Sequence, residues 1–141
     1  MKRDVVLSIR GKQTYEDQEP EIIELVTEGT MEFRQGGWDI SYEESALTGL
    51  EGVTTTFRVE PDKVILTRTG KLNSQMVFQK GVSHDSLYQM EFGALMITVE
   101  ATYIFFDIMP DGGMIDLSYN INIENTEAGT IDYHLDIRTK N

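Results

Sequence analysis

The sequence contains no cysteine among its 141 residues, only three prolines and only two histidines. Without cysteine the chain has no disulfide framework, no thiolate ligands for zinc or an iron–sulfur cluster, and no cysteine nucleophile. A chain of this length corresponds to about one domain, which buries enough apolar surface to fold without a disulfide or a structural metal. We therefore predict one domain over residues 1–141, with no metal site and no cofactor.

Basic side chains are also scarce, since 12 lysines and arginines stand against 24 aspartates and glutamates, a formal net charge of −12. The imbalance is steeper in residues 81–141, which hold 10 acidic and 2 basic side chains. Phosphate backbones and anionic lipids repel such a surface, so the composition argues against binding to nucleic acid or membranes. It favours instead contact with a basic protein partner or a homodimer that uses the outer surface.

Long apolar runs are absent as well. The basic start of the chain is followed by apolar residues 5–7 and then by Ser8, whereas a secretory signal needs about 7–15 apolar residues. The densest apolar patch, residues 104–106, ends at Asp107 and is far shorter than the roughly 20 residues of a membrane span. We expect a cytoplasmic protein.

What the sequence does contain is a series of segments that alternate apolar and polar residues. In residues 115–124 every odd position is apolar and every even position is polar, and residues 131–138 repeat the pattern. The glycine-containing residues 125–129 between them predict a loop, and the whole predicts a β-hairpin with one buried face. Less regular alternation occurs in residues 4–13, 21–35, 38–43, 53–60, 63–69, 72–80 and 87–108, the last of which we divide near residues 100–101.

Turn-forming residues separate these segments at positions 35–37, 60–62, 69–71 and 110–113. No long segment has helical spacing, and residues 83–87 form at most one helical turn. We predict an all-β fold of about eight to ten antiparallel strands in meander order, closed into a single barrel, because closure removes exposed sheet edges. A two-sheet β-sandwich is the alternative.

Several polar stretches carry a resemblance to a known family. They are SYEES at 41–45, LTGLEGVTTT at 47–56, LTRTG at 66–70, MVFQKG at 76–81 and LSYNI at 117–121. Over nearly its whole length the chain resembles the YwiB-like family of uncharacterised bacterial proteins. The resemblance implies a calycin-type, lipocalin-like antiparallel barrel, and it implies no activity.

The inward face of such a barrel holds the candidate ligand-binding residues. Arg68 shares the parity of Val64 and Leu66, which places its guanidinium inside, where it needs an anionic partner. Alternatively, Arg68 lies near the rim and pairs with a glutamate, or Ile65 is the inward residue. The candidate interior set is Tyr42, Phe57, Arg68, Phe78, Tyr103 and Tyr119. We predict a non-enzymatic barrel that binds a small apolar or amphipathic ligand; the alternative is an interaction module or homodimer that uses the acidic outer surface.

No arrangement in the sequence predicts a catalytic site. His84 lies in a predicted loop, and His134 shares the polar, outward face of the last strand with acidic neighbours. Glu43 and Glu44 are consecutive on a strand and point to opposite faces, so they form no carboxylate pair, and a structural or solvated role is expected for both. Residues 36–38, Gly-Gly-Trp, predict a tight hairpin beside a core tryptophan.

Overall fold

The computed structural model of the chain describes residues 2–14, 18–46, 50–90 and 93–140. They form ten β-strands: β1 Lys2–Thr14, β2 Glu21–Arg34, β3 Gly37–Glu43, β4 Val53–Glu60, β5 Lys63–Gly70, β6 Ser74–Phe78, β7 Ser83–Met90, β8 Gly93–Met109, β9 Gly112–Ile123 and β10 Thr126–Thr139. Within this part of the chain, no helix has the length and apolarity needed to cross a membrane.

All ten strands belong to one antiparallel sheet in the order β6-β5-β4-β3-β2-β1-β10-β9-β8-β7. The two edge strands are neighbours in the chain, and they meet where the sheet curls round. There, Asn73 and Gln89 exchange backbone hydrogen bonds of 2.9 and 2.8 Å, and the Val82 N–H donates to the Gln79 carbonyl at 3.0 Å. The sheet is therefore a barrel in meander order, as predicted, and the sandwich alternative is not adopted.

The apolar residues of the alternating segments point inward and fill the barrel. Along β4, every second residue is buried, and the inward residues of the other strands complete a continuous apolar core. Phe57, Phe78 and Tyr119 are among the largest fully buried side chains, and the rings of Phe78 and Tyr119 lie 4.4 Å apart. The middle of the barrel is thus occupied by its own side chains, as is usual for small barrels.

Two hairpins turn through pairs of residues with positive φ. Gln35 and Gly36 have φ of 49° and 77°, which is the type I′ pattern, so the predicted hairpin is confirmed with its centre one residue earlier. Trp38 is half-buried, so it packs against the margin of the core rather than within it, and its ring lies edge-on to that of Phe33 at 5.0 Å. The second pair includes Asn125 and connects β9 to β10. The loop of this last hairpin is therefore shorter than the predicted loop at residues 125–129.

The segment from residue 83 to 109 differs most from the prediction. Residues 83–90 are a strand, so His84 lies on β7 rather than in a loop, and β8 runs from Gly93 to Met109 without a division at residues 100–101. Around Thr102 the structure has a β-bulge, because Ala101 pairs with Tyr119 while Tyr103 pairs with Ser118.

The bulge reverses the faces of the rest of β8, since one extra residue shifts the period-two pattern by one. Ile104 and Phe106 turn towards the core, and the Tyr103 side chain is exposed on the outside. The prediction that Tyr103 belongs to the barrel interior is therefore wrong.

Candidate functional site

A row of polar side chains interrupts the apolar inner wall near one end of the barrel. Cross-strand pairing links Tyr42 to Thr55, Thr55 to Arg68, and Arg68 to Ser74, across strands β3 to β6. Tyr42, Thr55 and Ser74 are buried. Four neighbouring strands thus present a polar group at the same level, where their other inward positions are mainly apolar.

Arg68 faces the interior, as its parity with Val64 and Leu66 predicted. Its Nη2 donates a hydrogen bond of 3.2 Å to the Tyr133 hydroxyl, while its Nε is buried without a hydrogen-bond partner. Among the described residues, no carboxylate lies within ion-pair distance of it. The alternative in which Arg68 pairs with a glutamate at the rim is therefore not seen in this part of the chain.

The electrostatic surroundings of Arg68 leave it charged among neutral phenols. Burial acts to lower the pKa of the guanidinium, but Tyr133, Tyr119 and Tyr42 act to raise it, and the net pKa lies above its ordinary value. Burial in turn raises the pKa of the Tyr42 and Tyr119 phenols, and the charge of Glu44 raises that of Tyr42 further. Near neutral pH these two phenols are uncharged dipoles, which do not neutralise the guanidinium.

Tyr133 reaches Arg68 from the opposite wall. Its partner across the β1–β10 ladder is Gly11, where a Cβ atom would lie 3.4 Å from the ring, and Phe57 packs edge-on against it at 6.1 Å. The glycine and the phenylalanine together fix the ring that carries the hydroxyl. Tyr133 was not among the predicted site residues, although it has the parity of the buried Leu135.

Glu44 is a second residue whose place in the interior was not predicted. Its side chain is only 8% exposed and accepts a hydrogen bond of 2.5 Å from the Thr55 hydroxyl. Glu43 is exposed, so the prediction that the two glutamates point to opposite faces is confirmed. The sequence pattern that could have placed Glu44 on the inward face is its parity with the inward residues Ile40 and Tyr42.

A cavity of about 130 Å³ opens beside Arg68 at this end of the barrel. Its polar lining includes Tyr42, Glu44, Arg68 and Tyr133, and its apolar lining includes Ile9, Leu25 and Ile131. We call it the Arg68 cavity. It combines one buried cation, on Arg68, and one buried carboxyl group, on Glu44, with an apolar wall.

Only part of the predicted interior set lines this cavity. Tyr42 and Arg68 do so, whereas Phe57, Phe78 and Tyr119 are packed in the core and Tyr103 is outside. The bulky aromatic residues therefore fill the barrel rather than surround an open space.

The two histidines lie apart from the cavity. His84 Nε2 is 3.0 Å from the Gln79 side-chain oxygen. His134 lies on the outer face, as predicted, with Nδ1 2.5 Å from Asp116 and Nε2 3.0 Å from Asp136. Across the described ranges, no cluster of three or more histidine or acidic side chains is arranged to hold a metal ion.

We expect His134 to titrate above 6.5, its ordinary pKa, because the hydrogen bond to Asp116 raises the pKa most, Asp136 adds to it, and partial burial opposes it only in part. The folded state then favours the imidazolium. Its contribution to stability is fully present below about pH 6.5 and is lost as the pH rises through the folded-state pKa. NMR titration of the imidazole proton measures this pKa, and Asp116→Asn should lower it. A wild-type value of 6.5 or less would contradict the assignment.

Comparison with known proteins identifies the family. Residues 7–137 match a family described as a domain of unknown function, DUF1934. The chain belongs to this family. It also superposes on the crystal structure of the ywiB protein from Bacillus subtilis with a TM-score of 0.87 at 22% sequence identity, over 99% of this chain and 94% of that chain.

These matches confirm the YwiB-like resemblance and the barrel fold that it implied. No protein with a curated description matches the chain significantly. The family description supplies no activity, and the structural likeness, at 22% identity, concerns the fold alone. The relationship to lipocalins stays a prediction, and so do the cytoplasmic location and the absence of enzymatic activity.

Proposed function

We propose that the protein is a non-enzymatic barrel that binds a small carboxylate with a short apolar tail in the Arg68 cavity. The observation that carries the proposal is the buried Arg68 Nε, which has no hydrogen-bond partner. Because a guanidinium offers parallel N–H donors in a planar fork, a carboxylate is a well-matched partner for it. One guanidinium also matches the single charge of a carboxylate.

A second buried polar group close to Arg68 also lacks a hydrogen-bond partner. The Ser74 hydroxyl, on the cross-strand partner of Arg68, is also buried without a hydrogen-bond partner. Ser74 does not line the cavity, so the unpaired group that a ligand in the cavity would reach is that of Arg68, whose unpaired burial is costly. Native proteins retain buried polar groups without hydrogen-bond partners mainly at functional sites.

The size of the cavity limits the apolar part of the ligand. At about 130 Å³ the cavity is close to the 150 Å³ of an engineered apolar cavity that holds benzene. It is smaller than the roughly 300–1,000 Å³ of pockets for drug-sized molecules. We therefore narrow the amphipathic ligand expected from the sequence to one with about six carbon atoms.

The lining also supports a binding rather than a catalytic role. Among the described residues that line the cavity there is no histidine, serine or threonine. The usual pairing of a hydroxyl nucleophile with a histidine base is therefore missing from this part of the wall.

Calorimetry with hexanoate and hexan-1-ol tests the proposal. We expect hexanoate to bind the wild-type protein more tightly than the alcohol, and Arg68→Met to weaken hexanoate binding by about 10- to 100-fold, the value of a charge-assisted hydrogen bond. Arg58→Met is the matched control, because Arg58 lies on the adjacent strand β4 and is not among the cavity-lining residues. Equal binding of acid and alcohol, no binding of hexanoate, or unchanged binding by Arg68→Met would contradict the proposal.

A further inference from the structure

Among the residues that the structure describes, none pairs with the outer edge of the second half of β8. β7 pairs with β8 only over Gly93–Glu100, and a bridge from Lys80 reaches Ala101. Over residues 102–109, β9 is the only strand that pairs with β8 in the described part of the chain. Because alternate residues of a strand direct their N–H and C=O groups to opposite sides, about half of the backbone groups along this segment point away from β9.

The outward side chains of this segment are large and apolar. Tyr103, Phe105 and Met109 are 51%, 45% and 58% exposed, and they alternate along one face because of the bulge at Thr102. Isolated exposed apolar residues are ordinary, but three on the outer face of a strand with one open edge are typical of a contact surface.

The strands β8 and β9 that carry this edge are acidic, and the basic side chains Arg10 and Lys12 of β1 share a groove with Tyr103 on the β9 side. Residues 81–137 contain neither lysine nor arginine. Asp107 lies on the same outer face of β8, and Asp116 is the cross-strand partner of Phe105. Lys80 is exposed at the Ala101 end, and Asp107 is the one charged side chain within residues 102–109.

We propose that residues 102–109 dock an extended, basic segment of another protein, which adds to the barrel as one more strand. Backbone hydrogen bonds would hold it along about 27 Å of edge. Its lysine or arginine side chains would lie beside Asp107 and over the rings of Tyr103 and Phe105, while Asp116, on the far side of β8, is already bonded to His134.

Charge complementarity selects this occupant. A second copy of the chain would bring an equally acidic edge, since both copies carry a net charge of −12, and nucleic acids or anionic lipids are repelled in the same way. The docking edge is independent of the Arg68 cavity, which lies inside the barrel and does not include these residues.

The experiment is an NMR titration of the isotope-labelled full chain with two blocked peptides of about eight residues. One alternates arginine with valine, and the other alternates glutamate with valine. We expect the arginine peptide to shift amide signals of residues 101–118 saturably, with binding that weakens between about 50 and 300 mM salt. We expect no saturable shift with the glutamate peptide.

Two charge reversals locate the contact. Asp107→Lys should weaken binding of the arginine peptide at least fivefold, whereas Glu24→Lys should change it by less than about twofold. The second variant makes the same change of charge at an exposed position on β2, four strands away in the sheet. Spectra of both variants report whether the barrel is intact.

Several results would overturn the proposal. They are the absence of saturable binding of the arginine peptide, equal binding of the glutamate peptide, shifts centred outside residues 101–118, or equal effects of the two variants. Sedimentation that shows a dimer sensitive to Asp107→Lys but not to Glu24→Lys would assign the edge to a second copy of the chain instead.

Discussion

Replacing Phe57 with alanine is expected to lower the free energy of unfolding by about 3–5 kcal/mol. Phe57 is 1% exposed at the centre of the core, so its removal leaves a cavity that the surrounding strands close only in part. Small domains are stable by about 5–15 kcal/mol, and the loss is therefore a large share of the total. Urea unfolding monitored by circular dichroism measures it.

The matched control is Phe105→Ala, which removes the same side chain from the outer face of β8. Phe105 is 45% exposed, so we expect a change within about 1 kcal/mol. A Phe57→Ala loss no greater than that of the control would mean that the barrel centre is loosely packed. Phe57 also supports the ring of Tyr133, so binding of hexanoate to Phe57→Leu should weaken even where the fold is retained.

Arg68→Met is expected to raise the free energy of unfolding of the unliganded protein by about 1–3 kcal/mol. The native charge is held inside the barrel without a carboxylate partner among the described residues, whereas methionine fills a similar volume at no electrostatic cost. The variant loses one hydrogen bond to Tyr133, which offsets part of the gain. The gain in stability would accompany the loss of hexanoate binding, as occurs when a functional group is removed from its site.

Arg58→Met should have the opposite sign, with a loss of about 1–2 kcal/mol. Arg58 forms ion pairs with Glu60 at 2.8 Å and Asp39 at 3.2 Å, and it donates to the carbonyls of Arg34 and Gln35. The two arginines occupy adjacent strands. We expect the opposite changes in stability because Arg58 has carboxylate partners within the protein and Arg68 has none among the described residues. Destabilisation of similar size in both variants would show that Arg68 is a structural residue.

Strands were predictable where one face is buried along the whole element. The buried and less buried positions of β4 alternate without a break from Val53 to Glu60, so the sequence pattern and the fold agree there. The pattern failed at Thr102, because the extra residue of a bulge carries no side-chain signature and is fixed by the pairing of β8 with β9. The wrong placement of Tyr103 follows from this one residue.

The candidate site was predictable in part for a similar reason. Parity along β5 was enough to place Arg68 inside, because Val64 and Leu66 define the inward face. Parity also marked the inward faces of Tyr133 and Glu44, and Glu44 meets Thr55 on the adjacent strand. The contact of Tyr133 with Arg68 could not be predicted, because it crosses the interior from β10 to β5 and depends on how the barrel closes. Closure is a property of the whole sheet and leaves no local signal.

The pairing of β1 with β10 has a consequence for how the protein assembles. Val5 lies opposite Thr139, so two segments from opposite ends of the sequence must find each other before the sheet is continuous. Such non-local contacts slow folding to the range of milliseconds to seconds. During synthesis on the ribosome, β1 therefore cannot pair with β10 until residue 139 has emerged. Until then, the apolar face of β1 is exposed to chaperones and to other nascent chains.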